Sequence, residues 1–161
     1  METGVGDAAV QRGGAGEHHA MKFVCDTPDR KSWFRIETEA EAERESALME
    51  HAVEKHFRRE KENAIRSFRP ASPVFIEQNI GLEAHIQSEM PLFLTLRDPS
   101  GNGLATAMLP PRGHDDPTFR IIIVGPRNSD PYPDHVAAIR ALGDHFGLEL
   151  EREDCFPYRG R

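Results

Sequence analysis

The chain has 161 residues, 20 of them Lys or Arg against 27 Asp or Glu, for a formal net charge of -7. A single ordinary domain with its own core fits that length, while the negative balance excludes general attraction to nucleic acid or anionic lipid. No stretch approaches the ~20 consecutive apolar residues that a membrane-spanning helix requires.

Residues 1–20, METGVGDAAVQRGGAGEHHA, carry five glycines, no aromatic residue and no apolar periodicity. Such a segment buries too little apolar surface to offset the entropy of ordering. It also lacks the basic start and apolar centre of a secretory signal. We therefore expect a disordered tail over 1–20, Met21 as the natural start, and one domain over 21–161. The two cysteines, Cys25 and Cys155, have no metal-ligand spacing, which fits reduced thiols in the cytoplasm.

KFVCD and SWFRIE, joined by the turn-rich TPDRK, predict a β-hairpin in which Phe34 and Ile36 share one face and Trp33, Arg35 and Glu37 the other. Thr38-Glu39-Ala40-Glu41 is a capping box, so a helix starts there. Its apolar stripe, Ala42, Ser46, Met49, Val53, Phe57, Ala64 and Phe68, predicts a helix to Phe68, stopped before Pro70. Acidic residues crowd its first half and basic residues its second, the arrangement that a solvated face matched to the helix dipole produces. Thirty helical residues would span about 45 Å, more than the roughly 35 to 40 Å diameter of such a domain. The helix must overhang, or break near Glu60. Its basic end, with Phe57, Arg58, Arg59, Ile65 and Phe68, is a candidate docking surface for another protein or for a second copy of the chain.

VFIEQ (74–78) reads as a short strand and NIGLEAHIQSEM (79–90) as a short helix. LFLTLRD and LATAMLP alternate around a glycine-containing turn and predict a second hairpin. FRIIIVG (119–125) is apolar on both faces, the mark of a central strand. Pro133 to Phe146 predicts a helix ended by Gly147, and LELERED (148–154) a final strand. The order β-β-α-β-α-β-β-β-α-β predicts an α+β fold: one domain, a mostly antiparallel sheet, and one long and two shorter helices packed on it.

Two loops hold candidate chemistry. His114, Asp115 and Asp116 follow Gly113, and an imidazole beside carboxylates is the raw material of a metal or acid–base site. The His-Asp doublet resembles that of the HD phosphohydrolases over two residues only, and it sits in a proline-flanked loop rather than on helices. Arg127 and Asn128 lie in the loop GPRNSDPYP, where a phosphate would need backbone donors. Pro126, Pro131 and Pro133 remove three of them, and Asp130 and Asp134 add negative charge, so capping of the next helix is the expected role. No catalytic set, metal site or cofactor is implied, and no family pattern is matched. The expectation is a non-enzymatic cytoplasmic protein-interaction or regulatory module. The alternatives are a small hydrolase or ligand-binding enzyme built on loops 113–116 and 127–130, and RNA binding through the basic helix end and the C-terminal CFPYRGR.

Overall fold

The computed structural model describes residues 21–156. The expected disordered tail and residues 157–161 of the C-terminal segment lie outside the described residues. Strands β1 (Lys22–Asp26) and β2 (Ser32–Ile36) form the first hairpin. Three helices follow: α1 (Glu39–Met49), α2 (Val53–Ser67) and α3 (Phe75–Glu89). Strands β3 (Leu92–Arg97), β4 (Gly103–Leu109) and β5 (Ile122–Val124) then complete the sheet, and α4 (Tyr132–Phe146) returns across it. The sheet has five strands in the order β1-β2-β3-β4-β5, every neighbour antiparallel. The α+β fold read from the sequence is the fold of the protein.

Strand alternation sorts the core into two layers, because successive side chains leave opposite faces. Trp33, Leu92, Leu94, Leu96, Ala105, Ala107, Leu109 and Ile123 pack with Ala138, Ile139 and Leu142 of α4. Trp33 is fully buried there, and its indole N–H donates to the carbonyl of Ala138 at 2.8 Å. On the other face, Ile36 and Phe93 meet Ala42, Phe57, Ala64 and Met90. Strand β3 is covered on both sides, and all six of its residues are buried.

The capping box forms as the sequence predicts: the Glu41 amide donates to the Thr38 hydroxyl, and the Glu41 carboxylate accepts from the Thr38 amide. The helix it starts is not continuous. It ends at Met49, Glu50 adopts the left-handed conformation (φ 54°, ψ 51°), and α2 begins at Val53. The break thus falls at 50–52, not near Glu60, and no long helix overhangs. Side chains hold the elbow: the Ser46 hydroxyl accepts from the Glu54 amide at 3.0 Å, giving α2 a cap from an earlier helix. Bending there lets both helices lie on the sheet, with the Phe57 ring tilted against Phe93 at 5.2 Å between centroids.

Three further expectations are corrected. VFIEQ is not a strand: Val74 is the N-cap of α3 and Phe75–Gln78 its first turn. Strand β5 is not central. It pairs with β4 on one side and, on the other, makes one bridge from Ile123 to Cys155. Its apolar faces are covered by α4 and by side chains around a cavity, described below, rather than by flanking strands. LELERED is not a strand either. After Gly147 (φ 74°) ends α4, Leu148 and Leu150 are buried from an extended segment, and Arg152–Asp154 form a single 3-10 turn.

Candidate functional site

A chain of polar side chains runs under the α1–α2 elbow. Glu45 of α1 is fully buried and forms an ion pair with Arg97 of β3 at 2.8 Å. Its second oxygen accepts from the Thr106 hydroxyl, and Thr106 in turn meets His51 Nε2 at 2.9 Å. Thr106 has one hydroxyl proton, and it goes to the carboxylate that Arg97 pairs. His51 must therefore donate from Nε2, leaving Nδ1 as an acceptor facing the Val53 amide at 3.4 Å. Burial lowers the His51 pKa, with the negative charge of Glu45 opposing in part, so the ring is neutral near pH 7. Glu45 and Glu41 are buried, so the acidic run of α1 is not the wholly solvated face expected.

Beside this chain lies a cavity of about 260 Å³ between the elbow and the sheet. Phe93, Met108, Ile122 and Val124 provide apolar walls from β3, β4 and β5, and Phe156 closes one side. His51, His56, Thr106 and Asn128 supply its polar groups. Arg127 and Asn128 occupy the loop from β5 to α4, both in the left-handed conformation (φ 55° and 60°). Two successive non-glycine residues held there represent local strain of the kind found at ligand clamps.

The residues singled out from sequence scatter across the molecule. Phe57 is 3% exposed and belongs to the core, not to a docking surface. Arg58 reaches Glu39 at 2.7 Å and Glu54 at 3.3 Å, bridging α1 and α2. Arg59 lies over Glu60 and donates to His56 Nδ1 at 2.9 Å. Ile65 is exposed, whereas Phe68 packs on His85 and against Gly81. His114, Asp115 and Asp116 line a shallow depression with Ser88 and Glu89 at the far end of α3. Asp116 is engaged locally, accepting from both the amide and the hydroxyl of Thr118, which lowers its pKa. Among the described residues no three His, Cys, Asp or Glu side chains converge as a metal would require. Arg127 lies 3.7 Å from Glu50, and Asn128 faces the cavity, so the two candidate loops line different depressions.

Asp130 begins α4 by accepting from the Tyr132 amide at 3.1 Å. Arg152 grips it twice, at 2.8 and 2.6 Å, and lowers its pKa. That clamp places the Cys155 segment against β5. Burial pushes the Cys155 thiol up to about 12, with Asp130 adding to the effect, so this sulfur is an inert core atom.

Sequence reading missed one surface. Phe75, Ile76 and Ile80 of α3 are 73%, 68% and 65% exposed, and Val74 before them 50%. The apolar run is visible in the sequence, but it reads there as a short strand over 74–78 followed by a short helix over 79–90, and nothing in it marks exposure. No helix among the described residues is long and apolar enough to cross a membrane. Compared with protein families, curated proteins and solved structures, the chain matches none of them.

Proposed function

We propose that this protein is a non-enzymatic interaction module that docks another protein on the exposed start of α3. The observation that carries this reading is the cluster Val74, Phe75, Ile76 and Ile80, placed on solvent in a domain whose other large apolar side chains are mostly buried. A fully exposed residue of this kind offers roughly 150 to 200 Å², so the four present on the order of 400 Å², an area typical of recognition patches. Leading into the cluster, Arg66 and Arg69 make hydrogen bonds to Asn63 and to backbone carbonyls, with no carboxylate partner among the described residues. An apolar centre with unpaired cations beside it suits a partner segment with apolar anchors flanked by acidic residues.

Affinity purification at native abundance, with wild type and an Ile76→Glu/Ile80→Glu variant side by side, tests this. Both positions are on solvent, so the variant should fold as the wild type does. The expected result is a stoichiometric partner retained by wild type and lost by the variant, with retention weakening as salt rises. Recovery of the same partner by both chains would overturn the reading. So would a wild-type protein that only pairs with itself in sedimentation.

A further inference from the structure

We propose that the cavity under the α1–α2 elbow is a binding site for a small, uncharged, mainly apolar molecule carrying a hydrogen-bond-accepting oxygen. Its volume of about 260 Å³ exceeds the ~150 Å³ of an apolar protein cavity that takes up benzene. The body of the ligand is thus a bicyclic ring or a comparable apolar group of roughly ten non-hydrogen atoms, within the usual character of small-molecule sites. Phe93, Met108, Ile122 and Val124 would enclose it.

The ligand's head group follows from which polar atoms remain uncommitted. Thr106 spends its proton on Glu45 and accepts from His51, and His51 is engaged at both nitrogens. His56 differs. The always-cationic Arg59 donates to its Nδ1 at 2.9 Å, so the neutral ring carries its proton on Nε2. That N–H has no partner among the described residues. The Asn128 side-chain amide also makes no hydrogen bond among them, though it lines the cavity from the strained loop. His56 and Asn128 are both solvent-exposed at the mouth of the cavity, so the His56 N–H and the Asn128 amide N–H can exchange water for an oxygen acceptor on a ligand.

Charge selects against an anion. Burial and the Arg59 charge both lower the His56 pKa, and burial lowers that of His51, leaving two neutral rings near pH 7. The nearby cation Arg127 has Glu50 3.7 Å away, and Glu45 is already matched by Arg97. Among the described residues no uncommitted positive charge lines the cavity, and the chain as a whole is acidic.

The test uses the full chain, isotope-labelled, titrated with 1-tetralone, with its oxygen-free counterpart tetralin, and with 1-naphthoate. Saturable chemical-shift changes are expected at Thr106, Met108, Ile122 and Val124, with tetralone binding about 10-fold more tightly than tetralin, as one or two hydrogen bonds permit. An Asn128→Gly/His56→Phe variant removes both donors, and glycine keeps the left-handed backbone at 128. It should reduce tetralone to the affinity of tetralin measured in the same variant. Val124→Trp should fill the chamber and abolish both. Absence of saturable shifts up to the probes' solubility would overturn the proposal. A tetralone preference that survives in the donor-less variant, or 1-naphthoate binding more tightly than tetralone, would do the same.

Discussion

The pair Glu45–Arg97 allows a sharp test of how a buried charge is held. Glu45 is 0% exposed at the side chain and Arg97 10%, with 2.8 Å between them. Removing one partner leaves the other buried without its counter-charge, a cost of about 3 to 5 kcal/mol. Glu45→Met strands the guanidinium with the Thr95 hydroxyl at 3.1 Å and a long contact to the Gly101 carbonyl. Arg97→Met strands the carboxylate with the Thr106 hydroxyl alone. Removing both also removes the desolvation penalty, and methionine roughly conserves volume. The Thr95 and Thr106 hydroxyls then lose partners, about 1 kcal/mol each, and the Gly101 carbonyl loses only its long contact at 3.4 Å. The double variant should therefore lie within about 2 kcal/mol of wild type, and the coupling energy should reach about 4 kcal/mol or more. Urea unfolding followed by far-ultraviolet circular dichroism and by Trp33 fluorescence would measure all four corners of the cycle. Single variants that each cost under 1 kcal/mol, or that add without coupling, would refute the reasoning, because the two groups would then be solvated rather than sealed in the sheet–helix layer.

Other expectations follow from single residues. Glu50 holds a left-handed conformation (φ 54°) with its side chain largely exposed, so Glu50→Gly should raise stability by about 0.5 to 1 kcal/mol in chemical denaturation. The loss of its 3.7 Å contact with Arg127 offsets little of that gain, since surface pairs contribute weakly. His51, His56 and His135 have pKa values lowered first by burial. Their contribution is present above the unfolded value of about 6.5 and is lost as pH falls through the folded values. Denaturation midpoints should therefore decline from pH 7.5 to pH 5, and His51→Asn should flatten that slope. Cys155, with its thiol pushed up to about 12, should resist alkylation in the folded protein at pH 8, whereas the half-buried Cys25 should react first. Mass mapping of the labelled peptides would decide, and equal labelling of both would contradict the buried placement.

Where the chain encodes structure locally, its pattern could be read directly. Thr38 and Glu41 specify a helix start by their own side chains, the two hairpins follow from alternation around turn residues, and Gly147 ends α4 because glycine accepts a positive φ. The α1–α2 elbow could not be read this way. It contains no Gly or Pro and depends on Ser46 and His51 reaching across the bend. Phe75, Ile76 and Ile80 misled for a different reason: apolar residues announce burial, and here they face solvent. Glu45 looked like one more carboxylate in a charged run, because its partners Arg97 and Thr106 lie 52 and 61 residues away. The cavity is the least legible feature, since it gathers side chains from the elbow, β3, β4, β5, the following loop and Phe156. Strand order decides that gathering, and no short segment contains it.

Ile36 at the end of β2 and Phe93 near the start of β3 are Cα partners, so the whole block from α1 to α3 leaves and rejoins the sheet through adjacent strands. It is attached as a hatch is to its frame, by two neighbouring stalks. Cooperative lifting of this block breaks no rung of the β-ladder. Amide hydrogens of α1 to α3 should then exchange together with deuterium, ahead of those of β3 and β4, as a subglobal unit whose opening bares the Phe93 face.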